Sequence, residues 1–267
     1  VDEEQWFGVR HKEKLKSLRA EVDVLTMTAT PIPRTMYFSV SGLRDLSIIE
    51  TPPISRRPVF TQIVQWNIEL FKKAIYRELE RSGQVFFVHN RVETIGGIEA
   101  LLKDAMPDVK IAVAHGQMPE RKLERTVIDF REGKYDLLLS TAIIESGTDM
   151  PNVNTIIINR ADRFGLAQLY QLRGRVGRSD VQAYAYLVVP PYRSMTKTAR
   201  KRLRAILEHT ELGSGYHLAM KDMEIRGAGN LLGREQSGFI EEIGLDLYTK
   251  MLAEAVSYTH LTLPTKA

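Results

Sequence analysis

The sequence predicts an α/β fold, a parallel sheet with helices on both faces, and three observations lead to this prediction. Short segments of uniformly apolar residues are typical of strands that are buried on both sides. Segments whose apolar residues recur every three or four positions alternate with them, as helices do between parallel strands. Polar and glycine-containing segments follow the apolar ones, where strands end. The expected strands are residues 59–66, 84–88, 109–114, 135–140, 155–158 and 183–189.

Helices are expected between the first four of these strands. Residues 68–81 carry apolar side chains at positions 68, 71, 75 and 79, and residues 92–105 have the same kind of spacing. Residues 119–131 begin with a proline, which is favoured in the first turn of a helix. In sheets of this kind ligands bind beyond the carboxyl ends of the strands, and the polar segments are expected to lie there.

The chain before this regular pattern resembles the end of another domain. Residues 22–27 and 46–50 are predicted to be strands of a partial first domain that spans residues 1–50. Three prolines within residues 51–58 indicate an extended linker. The second domain is then expected at residues 59–189.

Beyond the last strand, the pattern changes to helices. Helices are expected at residues 195–210, 215–223 and 240–256. The first two would form a helical hairpin, and all three belong to a third region at residues 190–256. Residues 257–267 break the helical period, and we expect them to be a non-native tail.

Composition narrows the class of protein and its surroundings. A hydrophobic fraction of 43% and a charged fraction of 26% are those of a soluble globular protein. The chain has no cysteine, which excludes disulfides, thiolate metal sites and cysteine nucleophiles and favours a reducing, cytoplasmic location. No apolar run approaches the ~18 residues of a membrane span and no leader is recognisable, so a membrane partner is not expected.

Basic side chains are concentrated in one stretch, although the net charge of +4 is modest. Between residues 173 and 204 one acidic residue, Asp180, accompanies many basic ones. These are Arg173, Arg175, Arg178, Arg193, Lys197, Arg200, Lys201, Arg202 and Arg204. Such a stretch is typical of a protein that binds phosphates, but a solvated helix face has the same composition.

An acidic segment, DEEQ at residues 2–5, has residue types suited to a nucleotide site. There, Asp2 can hold Mg²⁺ and Glu3 can orient or deprotonate the attacking water. By itself the segment also fits an ordinary acidic turn.

Two hydroxyl-rich segments follow predicted strands. Thr28 and Thr30 flank an alanine, and Thr141 follows a serine. These hydroxyls can bond a phosphate or relay between a phosphate site and a neighbouring domain. Gly147 allows the backbone to approach a ligand closely. Each segment alone also fits a capped turn before a helix.

An arginine-rich segment is the most specific signal, and it reads QLRGRVGR at residues 171–178. Glycines among the arginines cost stability in a helix, so we expect a tight loop, and packing gives no reason for the arrangement. Planar guanidinium groups on such a loop match the charge that develops on a transferred phosphoryl group.

In this order, the four segments resemble the motor core of superfamily two helicases and translocases, and the arginine-rich segment matches its motif VI in full. The resemblance implies a RecA-like helicase C-terminal domain, preceded by part of a first RecA-like domain and followed by a helical-hairpin translocation motif. It implies ATP and Mg²⁺ as cofactors. Asp2 would bind Mg²⁺, Glu3 would activate water, and Gln5 would couple the acidic segment to the one at residues 28–30.

The same resemblance implies roles for further residues. Gly147, Asp149 and Gln171 would border the nucleotide, and Arg175 and Arg178 would act on the γ-phosphate as arginine fingers. The residues implied in DNA binding or translocation are Thr28, Thr30, Asn90, Arg91, His115, Thr141, Arg202, Arg226 and Gln236.

Further stretches resemble one branch of the superfamily, which contains transcription-repair coupling factors and RecG-type helicases. Among them are DEEQWFGV at residues 2–9 and TATPIPRT at residues 28–35. The segment EIRGAGNLLGREQSG at residues 224–238 is most similar to the coupling factors. The resemblance covers residues 1–256 and implies an ATP-dependent double-stranded DNA translocase that displaces stalled RNA polymerase in DNA repair. RNA polymerase and repair proteins would be bound by regions outside this chain.

One departure from the family pattern concerns phosphate binding. No Gly-x-x-x-x-Gly-Lys-Ser/Thr segment occurs, so the usual phosphate cradle and its lysine are absent. We therefore expect the chain to be a C-terminal part of a larger motor and to hydrolyse ATP negligibly alone. The alternatives are a RecG-type fork-remodelling helicase and, in another class, a non-catalytic nucleic-acid-binding module whose arginines only hold phosphates.

Overall fold

The computed structural model describes residues 22–29, 47–49, 51, 56–142, 150–211 and 213–226. The chain divides into two compact units. One is Glu50–Ser214, and the other is Val1–Ile49 together with Gly215–Ala267. The domain boundaries inferred from the sequence stay predictions.

The unit Glu50–Ser214 contains a sheet of six parallel strands. They are β1 (Phe60–Gln65), β2 (Gln84–His89), β3 (Ile111–Ala114), β4 (Leu137–Ser140), β5 (Val153–Asn159) and β6 (Tyr184–Val189). Their order is β1-β6-β5-β2-β4-β3, and each neighbouring pair is parallel. Strands β2, β4 and β5 are buried along their whole length, which explains why most of their residues are apolar. All six predicted strands are confirmed, with ends that differ by a few residues.

Helices connect most of these strands. Those described in this unit are α1 (Ile68–Glu80), α2 (Val92–Ala105), α3 (Glu120–Arg131), α4 (Leu166–Arg173) and α5 (Lys197–Glu208). Two 3-10 helices, Ala161–Arg163 and Tyr192–Ser194, precede α4 and α5. Helix α2 has the predicted bounds. Pro119 is the N-cap of α3 rather than part of its first turn.

The two faces of the sheet are covered by different helices. Phe86 and Phe87 are consecutive in β2, so their side chains point to opposite faces. The ring of Phe87 lies 5.9 Å from that of Phe71 in α1, and the ring of Phe86 lies 5.6 Å from that of Phe130 in α3. The predicted two-sided covering of a parallel sheet is therefore confirmed.

In the other unit, helix α6 spans Gly215–Arg226, and no strand is formed at residues 22–27 or at the described residues 47–49. Within residues 22–29 Met27 makes an isolated bridge, and residues 47–49 have no strand conformation. Leu25 is 73% exposed and Ile49 is 86% exposed. A short apolar run becomes a strand when a neighbouring strand pairs with it and buries its side chains, and these exposed side chains lack that burial. The strand predictions at residues 22–27 and 46–50 are therefore wrong in their described parts. Helices α5 and α6 confirm two of the predicted helices, and the hairpin stays a prediction.

Two features are absent from the described part of the chain, a membrane-spanning helix and a cluster of metal ligands. No helix there is long and apolar enough to cross a membrane. Its histidine and acidic side chains form no group that could hold a metal ion.

Candidate functional site

Residues 174–179, called the arginine loop below, lie at the amino ends of strands. A Cβ built on Gly177 would be 2.9 Å from Ala183 Cβ and 3.3 Å from Val59 Cγ2. Ala183 immediately precedes β6, and Val59 immediately precedes β1. The loop is therefore packed against the points where these two strands begin.

The path of α4 explains this position. The helix starts after the carboxyl end of β5, and its eight residues, about 12 Å long, return the chain toward the amino ends of the strands. Ser179 Oγ then donates to Asn154 Oδ1 at 3.4 Å, near the start of β5. The expectation that the polar segments lie beyond the carboxyl ends is therefore wrong for the arginine loop.

The backbone of the arginine loop is fixed at its two glycines. Arg56 Nε donates to the carbonyl oxygen of Gly177 at 3.0 Å, and Arg56 Nη2 donates to that of Gly174 at 3.1 Å. Arg178 Nε donates to the same Gly174 oxygen at 3.4 Å. Gly177 has φ +70°, a conformation that L side chains rarely adopt. The loop therefore has one defined backbone path.

A buried carboxylate at the end of α1 supports the same end of the sheet. Glu78 is fully buried and accepts hydrogen bonds from Arg81, from Thr155 Oγ1 at 2.6 Å and from Asn154 Nδ2 at 3.4 Å. Arg81 Nη1 also donates to the carbonyl oxygen of Gln182 at 2.8 Å. The burial of this charge is compensated by several donors, as a buried carboxylate requires. The segment between the arginine loop and β6 is thereby anchored.

Arg173 belongs to the packing of α4, not to the loop. Its side chain is buried and donates to the carbonyl oxygens of Ile206 at 2.9 Å and His209 at 2.8 Å, at the carboxyl end of α5. Burial lowers the pKa of Arg173 to about 10, so its guanidinium stays protonated at neutral pH. The expectation of a tight loop without a packing role is therefore wrong at this arginine.

Three of the residues predicted at the nucleotide are at or near the loop itself. Arg178 is exposed, and Arg175 is half-buried. Gln171 is half-buried in α4, one turn before Arg175. The loop thus carries two arginines just beyond the end of α4, on a backbone that Arg56 holds.

A second group of predicted residues lies at the opposite ends of the strands, and we call it the carboxyl edge. Asn90 and Arg91 follow β2, His115 follows β3, and Thr141 follows β4. Strands β2, β4 and β3 are adjacent and in register near these ends. Asn90 and Arg91 are exposed, His115 is half-buried and Thr141 is buried. The structure therefore brings together residues from three segments that are distant in sequence.

A histidine network organises the carboxyl edge. His89 Nδ1 accepts a hydrogen bond from Asn159 Nδ2 at 2.9 Å, and its Nε2 donates to Thr94 Oγ1 at 2.7 Å. An amide nitrogen is a donor, so this arrangement requires neutral His89 with its proton on Nε2. Burial lowers the pKa of His89, and the charge of Arg91 lowers it further. The turn that carries Asn90 and Arg91 is therefore tied to β5.

The residues predicted for translocation are spread over several elements. Arg202, half-buried in α5, donates from Nη2 to the carbonyl oxygen of Asp162 at 3.2 Å, in the turn after β5. Thr28 is half-buried, and Arg226 is the last residue of α6. Of the basic stretch, the exposed residues are Arg178, Arg193, Lys197, Lys201 and Arg204. The stretch is thus partly a solvated surface and partly internal packing.

Other predictions lie outside the described residues. The site residues among them are Asp2, Glu3, Gln5, Thr30, Gly147, Asp149 and Gln236. The predicted helix at residues 240–256 and the tail at residues 257–267 also lie there.

Sequence reasoning missed three residues that shape these sites. Arg56 and His89 had no signal in spacing or composition, because their partners are far away in the sequence. Glu78 had a signal in its spacing, because it lies three residues after Ile75 and seven after Phe71, on the apolar face of α1. An acidic residue on such a face indicates a buried network.

Comparison with known proteins identifies the family. The helicase conserved C-terminal domain matches residues 66–180. The transcription-repair-coupling factors of Staphylococcus aureus (strain USA300) and Staphylococcus haemolyticus (strain JCSC1435) are each 58% identical over 257 residues, which is 96% of this chain. The chain belongs to the transcription-repair-coupling factor family. It spans 22% of the length of these family members.

Solved structures of helicases share the fold. A structure of RecG bound to a three-way DNA junction has 34% sequence identity and a TM-score of 0.67, covering 87% of this chain and 31% of that chain. Dbp5 of S. cerevisiae, bound to RNA and ADP BeF3, has 17% identity and a TM-score of 0.52, covering 78% of this chain and 55% of that one. The predicted RecA-like helicase C-terminal fold is therefore confirmed.

Proposed function

We propose that this chain is part of an ATP-driven motor that moves along double-stranded DNA. In the full-length protein, the motor would displace stalled RNA polymerase during DNA repair. It would act in the cytoplasm and cooperate with repair proteins. The observation that carries the proposal is the arginine loop, because Arg56 bonds its backbone at both glycines and the loop carries Arg175 and Arg178. Membership of the coupling-factor family supports the same activity.

ATP with Mg²⁺ fits the chemistry of the residues at the arginine loop. Bound ATP supplies the phosphoanhydride bond whose hydrolysis drives movement. Arg175 and Arg178 offer planar forks of N–H donors that suit phosphate oxygens and the charge that develops on them. Because their loop is already ordered, little reorganisation is needed when that charge appears. Gln171 would border the nucleotide beside them.

The remaining nucleotide contacts are proposed from the family resemblance. Asp2 would hold Mg²⁺, Glu3 would orient and deprotonate water, and Gln5 would couple this segment to neighbouring motifs. Gly147 and Asp149 would line the cleft. Because a phosphate cradle is absent from the 267 residues, the chain alone is expected to hydrolyse ATP negligibly.

The carboxyl edge would contact the DNA backbone through Asn90, Arg91, His115 and Thr141. The exposed side chains of Asn90 and Arg91, at the end of β2, suit a ligand that must be bound whatever its sequence. The residues proposed to link hydrolysis to movement are Thr28, Thr30, Arg202, Arg226 and Gln236. Movement would follow from closure of the motor on ATP and reopening after hydrolysis.

A RecG-type fork-remodelling helicase is the second candidate, because a RecG structure matches 87% of this chain. The identity to that structure is 34%, against 58% to the coupling factors. Displacement of a stalled polymerase and regression of a model replication fork by the full-length protein distinguish the two. Polymerase displacement without fork regression supports the first candidate.

The test of the motor role is Arg178→Ala in the full-length protein. We expect DNA-stimulated ATP turnover to fall by about a thousandfold or more, because an arginine finger contributes that much, with DNA affinity kept. Arg131→Ala removes an exposed arginine from the last turn of α3 and is the matched control. Normal turnover with weakened DNA binding in Arg178→Ala would instead support the non-catalytic nucleic-acid-binding module.

A further inference from the structure

Arg56 makes contacts that local packing does not require. It lies just before β1, in a segment separated from Gly177 by 121 positions in the sequence. A side chain there could extend into solvent, as the neighbouring Arg57 does. Arg56 is instead half-buried against the arginine loop.

The geometry of these contacts uses the shape of a guanidinium group. Nε and Nη2 of Arg56 donate at 3.0 Å and 3.1 Å to two different carbonyl oxygens, those of Gly177 and Gly174. A rigid planar fork can hold two acceptors at a fixed separation, which a lysine ammonium on a flexible stem does not do. The two glycines bracket Arg175, so its backbone position is defined from both sides.

Arg56 also acts on the orientation of Arg178. The Gly174 oxygen that accepts from Arg56 Nη2 accepts from Arg178 Nε at 3.4 Å as well. The two arginines therefore share one acceptor. Movement of that carbonyl group would change the direction in which Arg178 projects.

The rest of the segment before β1 is attached to the same region. Gln182 Nε2 donates to the carbonyl oxygen of Pro58 at 2.9 Å, and the backbone nitrogen of Phe60 donates to the oxygen of Ala183 at 2.9 Å. The side chain of Val59 fills the space beside Gly177. Residues 56–60 are consequently hydrogen-bonded both to the arginine loop and to the residues that follow it.

We propose that Arg56 is a positioning residue for ATP hydrolysis, which holds the arginine loop so that Arg175 and Arg178 meet the γ-phosphate. Through Arg56, the chain segment that leads into the sheet is mechanically tied to the loop. This inference rests on the proposed motor function. It predicts that loss of Arg56 affects the chemical step more than nucleotide binding.

The experiment compares Arg56→Met, Arg56→Lys and Arg57→Met in the full-length protein. DNA-stimulated ATP turnover is measured at saturating DNA, and kcat is normalised to the number of nucleotide-binding sites, so that misfolded protein does not contribute. We expect Arg56→Met to lower kcat by roughly 10- to 100-fold, because small displacements of catalytic groups have effects of this size, with KM for ATP nearly unchanged. Arg56→Lys should give an intermediate kcat, since lysine keeps the charge without the fork. Arg57→Met, which removes an exposed arginine next to it, should have wild-type kinetics.

Several outcomes would overturn the positioning role. They are wild-type kcat in both Arg56 variants, a change confined to KM, or an equal loss in Arg57→Met. If Arg56→Met does not fold, Arg56→Lys decides: a lowered kcat supports the role, and a wild-type kcat contradicts it. Arg178→Ala, measured in parallel, separates the two levels of the argument. Full turnover in Arg178→Ala refutes the motor role of the loop. Lost turnover there with normal Arg56 variants refutes the positioning role alone.

Discussion

The two ends of the parallel sheet are built in different ways. At the amino ends, the arginine loop is held by Arg56 and supported by the buried Glu78 network. At the carboxyl edge, the predicted DNA residues Asn90 and Arg91 are exposed on a short turn. A group that stabilises developing charge has to be preorganised, whereas a group that binds one phosphate after another has to be accessible. The difference therefore matches the two tasks proposed for the two ends.

Helix α4 joins these ends. It begins after the 3-10 helix Ala161–Arg163 at the carboxyl end of β5 and finishes at the arginine loop. At its start, Arg202 from α5 donates to the Asp162 carbonyl, and at its end Arg173 donates to the carboxyl end of α5. Helix α5 is thus bonded both to the 3-10 helix before α4 and to α4 itself.

Removing the buried carboxylate should have the largest effect on stability. Glu78→Ala deletes the acceptor of Arg81 and Thr155, and loss of one partner from such a buried network costs about 3–5 kcal/mol in the free energy of unfolding. Urea unfolding followed by the fluorescence of Trp66, which packs 5.1 Å from the Phe71 ring, measures it. A Trp6→Phe background leaves Trp66 as the single tryptophan.

Glu80→Ala is the control for this experiment, because Glu80 is exposed near the end of the same helix. Its free energy of unfolding should be within ~0.5 kcal/mol of the wild-type value. Equal effects of the two substitutions would show that the Glu78 network does not support the amino ends.

A methyl group in the arginine loop should have the next largest effect. Gly177→Ala combines the strain of φ +70° with a contact of 2.9 Å to Ala183 Cβ. Gly133→Ala provides a matched comparison, because Gly133 has φ +78° but nothing within 4 Å of its Cβ position. Gly133→Ala should cost ~1–2 kcal/mol from strain, and Gly177→Ala roughly 1–3 kcal/mol more from overpacking. The same urea titration measures both losses of unfolding free energy. Equal losses in the two variants would mean that the arginine loop shifts readily to accommodate the methyl group.

The smallest effect is expected at the carboxyl edge and depends on pH. The pKa of His89 is lowered in the folded protein from its ordinary value of 6.5, so the unfolded chain binds the proton more readily. The contribution of neutral His89 to the free energy of unfolding should have its full value above about pH 6.5. It should decrease as the pH falls below that value, by at most about 1.4 kcal/mol per pH unit. Urea unfolding between pH 7 and pH 5 measures this decrease.

His89→Gln cannot be protonated and serves as the control. Its free energy of unfolding should fall less steeply with decreasing pH than that of the wild type, because the other histidines remain in both proteins. Parallel pH profiles would contradict the neutral His89 network.

Much of the fold could be predicted because its signals are local. The apolar sequences of β2, β4 and β5 report burial on both faces, and the spacing in residues 92–105 gave the bounds of α2. The residues of the carboxyl edge each follow a predicted strand, so the expectation that polar segments lie beyond the carboxyl ends holds for them. The run at residues 22–27 shows the limit, because strand formation depends on a partner that the local sequence does not reveal.

The arginine loop was harder to place because its position depends on α4 and on long-range hydrogen bonds. The spacing of Leu166, Leu169 and Leu172, all buried, was an available signal for that helix. No sequence signal distinguished the buried Arg173 from Arg175 and Arg178, because the three arginines belong to one motif. The carbonyl acceptors that bury Arg173 belong to residues more than 30 positions away.

The most direct test of the two-ended arrangement is steady-state ATP turnover as a function of DNA concentration, with Arg91→Ala and Arg178→Ala measured side by side in the full-length protein. Arg91→Ala should raise the DNA concentration needed for half-maximal stimulation and leave the plateau rate intact. Arg178→Ala should abolish the plateau while the affinity for DNA, measured separately by equilibrium binding, stays unchanged. If both substitutions changed the same parameter, the assignment of hydrolysis and DNA binding to opposite ends of the sheet would be contradicted.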